Sequence, residues 1–147
     1  MRAHVIASVH VTADAVRRNV LIRTSLDPAL PRASADPVHL QQVLLNLVIN
    51  GMDSMKNTPA EQRVLEVRTE RYADANLVVM VLDKGHGFEP SQKDKLFDSF
   101  YTTKTEGLGL GLSIARSIVK MHGGAIWAEN RSDGGACFAF TLPFKSP

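Results

Sequence analysis

A helix-length run of apolar residues in this chain is crossed by one polar line, and that line limits what the surrounding fold can be. Leu44-Leu45-Asn46-Leu47-Val48-Ile49-Asn50 carries two neutral amides four residues apart. Residues i and i+4 share a face of an α-helix. A buried amide without a partner costs about 1 to 3 kcal/mol, so two in register imply a polar ligand or a dedicated network. The line runs through His39, Gln42, Asn46, Asn50, Asp53 and Asn57 on a cylinder otherwise covered by Val43, Leu44, Leu47 and Val48. Asp36 followed by Pro37 reads as an N-cap and a first helical residue, and Asn57 to Pro59 break the pattern. A helix from Pro37 to Met55 is expected, with one face reserved for something polar.

Around it the pattern changes period. Ile6, Val9, Ala13, Val16 and Val20 form the apolar stripe of an amphipathic covering helix that leads into a short strand from Val20 to Leu26. Leu65, Val67 and Thr69 alternate with Glu66, Arg68 and Glu70, the mark of a half-exposed strand. Leu77 to Leu82 is continuously apolar and reads as a strand buried on both faces, delivering Asp83 to its end. A glycine loop from Asp83 to Pro90, a short helical piece over Gln92 to Phe97 and a polar loop ending in Gly107-Leu108-Gly109-Leu110-Gly111 follow. A helix over Leu110 to His122 precedes two closing strands, Ala125 to Asn130 and Cys137 to Leu142, joined through the turn signal Asp133-Gly134-Gly135. Helices and strands mixed in this way, with the last two strands adjacent and antiparallel, favour an α+β two-layer sandwich over a doubly wound parallel sheet.

At 147 residues the chain suits one domain with one core. Leu77 to Leu82, the longest apolar run, is far too short to span a bilayer. Met1 is not followed by a secretory signal pattern, so a cytoplasmic setting is the expectation. A net charge of +2 spread over scattered Lys and Arg makes no basic stripe, which argues against a nucleic-acid partner. The single Cys137 permits no internal disulfide and is expected on a buried strand, and the five histidines show no metal-ligand spacing.

Two further segments bear on chemistry. Asp83-Lys84-Gly85-His86-Gly87 ends the buried strand. A carboxylate there can accept a hydrogen bond from an amino group in an apolar slot, as adenine offers, and Gly85 and Gly87 allow close approach; the same residues also make an ordinary turn. Gly107, Gly109 and Gly111 alternate with Leu108, Leu110 and Leu112 and run into a helix, whose free N–H groups suit phosphate oxygens. This spacing is neither a dinucleotide fingerprint nor a phosphate-loop motif. Lys104 adds a cation nearby, and an amide oxygen such as that of Asn50 can ligate Mg²⁺. Asp53, one turn on, either supports metal-bound water or is the solvated end of the polar line.

Taken in order, these segments closely resemble the ATP-binding catalytic domain of sensor histidine kinases in the gyrase, Hsp90, histidine kinase and MutL superfamily. Gln41 to Asn50 is similar to the family's asparagine box, Asp83 to Gly87 to its first glycine box, Leu96-Phe97-Asp98-Ser99-Phe100 to its phenylalanine box, and Gly107 to Leu112 to its second glycine box. His122-Gly123-Gly124 and Trp127-Ala128-Glu129-Asn130 extend the likeness over nearly the whole chain, from Ile6 to Leu142, and its nearest flavour is that of the nitrogen- or oxygen-sensing kinases. The resemblance implies the Bergerat ATP-binding fold, one mixed sheet under three main helices, with a mobile lid near Ser99 to Leu108. It implies ATP and Mg²⁺ as cofactors. Asp83, with Gly85 and Gly87, would take the adenine, and Asn50 would ligate the metal. Asn46, Lys104 and the second glycine box (Gly107, Leu108, Gly109, Leu110, Gly111 and Leu112) would meet the phosphates. Thr141 would assist the adenine end through water. Gly51 stands where the family usually has Ala, which should cost the helix roughly 1 kcal/mol at most and leave the site intact.

Hydrolases and serine kinases of the superfamily place a Glu four residues before the metal-binding Asn, whereas this chain has Asn46. An amide cannot take a proton, but a neutral histidine nitrogen already carries the lone pair needed to attack phosphorus. The resemblance therefore implies transfer of the γ-phosphoryl group to a histidine. A superfamily ATPase or serine kinase and a non-catalytic ATP-binding module are the alternatives. His4, His10, His39, His86 and His122 precede Val, Val, Leu, Gly and Gly, not the acidic residue that usually follows a phosphoacceptor. Residues 1–147 are thus expected to be the catalytic domain alone, monomeric and without membrane contact. Its partners would be a separate dimerisation and phosphoacceptor domain and, downstream, a response regulator, and it would label itself little.

Overall fold

The structure, a computed structural model, describes residues 15–99 and 111–144. Five strands form one mixed sheet in the order β1-β2-β3-β5-β4: β1 Leu21–Ser25, β2 Val64–Tyr72, β3 Asn76–Leu82, β4 Ile126–Asn130 and β5 Ala136–Pro143. Only the β1–β2 pair is parallel. Two helices, α1 Pro37–Ser54 and α2 Gly111–Met121, pack together and against the sheet. This is the expected α+β two-layer sandwich. Ala15 to Arg17 form one helical turn, and the rest of the expected first helix lies outside the described residues.

Register explains the layering. Val67, Val81, Phe138 and Ala128 align across four strands, and so do Thr69, Val79, Phe140 and Ile126. Alternation sends both rows to one face, where they meet Leu40, Val43, Leu44, Leu47, Val48 and Met52 of α1 and Ala115 and Val119 of α2 in one apolar core. The opposite face carries the row Arg68, Met80, Ala139 and Trp127. Burial of β3 on both faces holds for Val78 and Leu82, but Met80 is only partly buried, because its strand neighbours rather than a helix shield that face. Cys137 shares this face and is half-buried, not buried as expected; partial burial pushes its thiol up to about 11.

Helix ends follow local chemistry. The Asp36 carboxylate accepts from Val38 N and His39 N, and Pro37 opens α1 where its missing N–H costs nothing. The first helix ends at Asn19, whose φ of 57° belongs to a left-handed cap, with Asn19 N bonded to Val16 O and Val20 N to Ala15 O. Ala15 and Val20 are buried while Val16 is 72% exposed, against the expected apolar stripe, because neighbouring helical residues point to different faces and the buried one here runs through Ala15. The helical piece expected over Gln92 to Phe97 is a 3₁₀ helix, Pro90–Lys95, after which Leu96 and Phe97 enter the core.

Beyond α2 the chain turns tightly at Gly123 and Gly124. A Cβ on Gly124 would stand 1.9 Å from the Thr141 carbonyl oxygen, whereas one on Gly123, at φ +78°, would meet open space. Gly124→Ala should therefore cost about 3 kcal/mol, since backbone must move, and Gly123→Ala about 1 kcal/mol, from strain alone. Urea denaturation of the two variants checks this; equal midpoints would contradict the packing.

Candidate nucleotide site

β3 ends at Asp83, and everything around that residue fixes its side chain. It is 1% exposed. Its Oδ1 accepts from Gly85 N at 2.8 Å and Ala136 N at 3.2 Å, so both the following loop and the first residue of β5 hold it. Its backbone is held as well: Asp83 N donates to Ala136 O, and Arg131 Nη1 donates to Asp83 O. Burial pushes the carboxyl above its usual value of 3.8; the two N–H bonds and the Ser54 hydroxyl oppose the shift without cancelling it. Oδ2 would lie 3.8 Å from a Cβ built on Gly51 of α1.

The carboxylate borders a cavity of about 400 Å³. Asn50, Asp53 and Ser54 of α1 line one side, Phe88 and Phe138 another, and Leu112 of α2 a third. Asn50 and Asp83 thus line the same space. Asn46, one turn earlier, donates through Nδ2 to Gly111 O at 3.0 Å and accepts at Oδ1 from Gln42 Nε2 at 2.9 Å. Leu112 lines the cavity and Gly111 begins α2. Lys104, Gly107, Leu108, Gly109 and Leu110 lie outside the described residues, as does the expected lid to the extent of residues 100–108.

Several expectations need correction. Thr141 is not at this site. It pairs with Val78, four residues back along β3 from Leu82 and so about 13 Å from the Asp83 end. It lies on the sheet face away from the helices, and its hydroxyl accepts from Ala125 N. Ala136 is the β5 residue that reaches Asp83. Asp53 lines the cavity but is ion-paired with Arg18, so it is not simply a solvated end of the polar line. The close approach at Gly85 is to the chain itself: a Cβ there would stand 2.5 Å from Ser54 O. Gly87, at φ +69°, does border the cavity, and Asn130 beside it bonds both the N–H and the C=O of Phe88. Gly51 matters more than helix propensity suggests, since a Cβ would come within 2.7 Å of Leu65 Cδ1, a side chain with no exposure.

Ser54 lines the cavity and was missed, although 46, 50 and 54 continue one spacing of four. The roles of Ala136 and Arg131 carry no such signal, since one acts through its backbone N–H and the other on a backbone carbonyl. No group of three or more His, Cys, Asp or Glu among the described residues makes a metal cage. A single amide oxygen from Asn50 fits a hard cation that takes its other ligands from phosphate and water.

A mixed sheet backed on one face by helices, with a buried acid opening onto a cavity between the layers, is the architecture of an ATP-binding domain. Residues 35–146 match the family described as histidine kinase-, DNA gyrase B-, and HSP90-like ATPase. The sensor protein FixL of Bradyrhizobium diazoefficiens is 46% identical over 131 residues, covering 89% of this chain and 26% of that protein. The catalytic domain of histidine kinase ThkA, in a nucleotide-free form, superimposes with a TM-score of 0.80 at 34% identity, over 95% of this chain and 90% of that one. Full-length ShkA in complex with AMPPNP gives 0.81 at 25% identity, over 98% and 29%. The chain belongs to this ATPase family, as the ATP-binding domain of a histidine kinase. It spans between 12% and 28% of the length of the first curated relatives it matches.

Because Asp83 holds its proton more tightly when folded than when unfolded, this group makes stability fall as pH rises from the usual carboxylate value through the raised one. Asp83→Asn, which keeps an oxygen for Gly85 N and Ala136 N, removes that penalty. Urea midpoints should favour the variant at neutral pH, with the gap closing toward pH 3; a gap that widens on acidification would contradict the burial of an ionised acid.

Proposed function

We propose that this domain binds ATP with Mg²⁺ and transfers the γ-phosphoryl group to a histidine on a separate dimerisation domain, in two-component signalling with a response regulator downstream. The observation that carries the reading is Asp83: an acid held by two backbone N–H groups at the end of an apolar strand, beside a cavity that also receives Asn50. Its carboxylate accepts the exocyclic amine of adenine, and Phe88, Phe138 and Leu112 supply apolar surface for the base. Asn50 offers its amide oxygen to the cation. When bound, Mg²⁺ neutralises charge on the phosphates during transfer. Lys104 and the second glycine box would meet the phosphate tail, as the family likeness implies.

The chain has an amide, Asn46, which cannot take a proton, where the hydrolases of the superfamily have a Glu, and that amide gives its N–H to Gly111 O. A histidine acceptor needs none, so catalysis reduces to positioning and charge neutralisation. Within this chain His122 accepts from Asp36 N at Nε2 and bonds Ile118 O through Nδ1, which leaves neither ring nitrogen for phosphate. None of the five histidines is followed by the acidic residue that usually follows a phosphoacceptor, so the acceptor is assigned to another domain, and the isolated domain to a monomer. ThkA has been solved in complex with the response regulator TrrA, and ShkA with AMPPNP, which supports both the downstream partner and the nucleotide. Among the described residues no helix is long and apolar enough to cross a membrane.

The domain, Mg·ATP and a separately produced acceptor domain should together yield acid-labile phosphohistidine on the acceptor. Asn50→Ala should slow this by roughly a hundredfold. Full transfer by that variant, or free phosphate as the main product, would overturn the reading.

A further inference from the structure

Asn46 and Asn50 lie on one face of α1, yet their surroundings differ. Asn50 borders the cavity, whereas Asn46 is engaged on both sides by protein. The order of its bonds is fixed chemically. The Gly111 carbonyl can only accept, so it faces Nδ2 of Asn46. Oδ1 then points one turn back along α1, where the exposed Gln42 must present its Nε2 donor. Gln42, Asn46 and Gly111 thus form a directional relay from the surface of α1 to the first residue of α2.

Gly111 also closes the second glycine box, and beside the apolar packing between the helices two hydrogen bonds tie the ends of the α2 segment to α1. The C-terminal end is held where His122 accepts from Asp36 N, the cap residue of α1. Gly111 itself is held by Asn46. A Cβ on Gly111 would stand 4.0 Å from Asn46 Cγ, so the backbone sits within ordinary contact of the amide that grips it. Residues lining a phosphate tail must be fixed before the ligand arrives if their N–H groups are to act without reorganisation.

We propose that Gln42 is a positioning residue for the nucleotide site: by donating to Asn46 it sets the amide orientation that pins Gly111, and so the start of α2, for the phosphates. The phosphate part of this inference rests on the function proposed above; the relay itself does not. It divides the asparagines by role, Asn50 toward the cation and Asn46 toward the backbone.

Two exposed-site variants test it. Gln42→Met removes the donor at similar size, and Gln42→Glu replaces it with an acceptor that repels Oδ1. In nucleotide-free protein, NMR should show the Asn46 side-chain amide signals shifted in both variants and those of Asn50 unmoved. Calorimetry should show Mg·ATP bound about fivefold more weakly with adenosine binding unchanged, a split that general loss of stability would not give. Unshifted Asn46 signals would overturn the relay, and shifted signals with an unchanged ATP-to-adenosine ratio would overturn the positioning role. If the unaltered chain took up neither ligand, the nucleotide reading would fail, and the amide signals alone would still decide the relay.

Discussion

The arrangement depends on keeping one carboxylate dry. Asp83 sits where β3 stops, β5 begins and α1 ends, and each neighbour contributes something that only close backbone contact allows. Gly135 approaches so near that a Cβ would stand 2.1 Å from Asp83 O, and Gly85 packs equally tightly on Ser54. These glycines bring the N–H groups of Gly85 and Ala136 onto a single oxygen. Burial makes this acid resist ionisation, which burdens the fold and which the two N–H bonds only partly offset, but the arrangement leaves the second oxygen able to select a ligand by a hydrogen-bond donor. Arg131, which grips Asp83 O from the β4–β5 turn, ties the hairpin to the same point.

α1 serves two masters. Its apolar face supplies Leu40, Val43, Leu44, Leu47, Val48 and Met52 to the core, and its polar line supplies Asn46, Asn50, Asp53 and Ser54 to the site. Gly51 lies between these duties and lets the helix settle onto Leu65. The polar line is also tethered to the entering chain, since Arg18 pairs with Asp53 while Arg63 gathers the carbonyls of Arg18, Lys56 and Thr58. The end of the first helix, the loop after α1 and the wall of the cavity are consequently one mechanical unit.

What could be read in the sequence was what local chemistry determines. Asp36 and Pro37 cap α1 as their side chains require, Leu65, Val67 and Thr69 point inward by simple alternation, and Asp83 ends its apolar strand. The errors arose where tertiary placement, not local pattern, decides. Thr141 has the right chemistry on the right strand, but pairing with Val78 carries it to the wrong end and the wrong face. Val16 fits a helical stripe, yet the face that this turn buries is the one through Ala15. Ala136 contributes a backbone N–H, which no side-chain pattern announces.

The central claim is that a buried carboxylate reads the exocyclic amine of a purine, and titration of the folded domain with ATP and with its 6-oxo analogue ITP, both with Mg²⁺, tests it directly. The two ligands share ribose, phosphates and metal, and differ where Asp83 would touch. The account predicts uptake of ATP at least about tenfold tighter than ITP, because a carbonyl facing Asp83 leaves the acid unpaired. Equal affinity for the two would show that Asp83 does not choose the base, and the assignment of this cavity would be wrong.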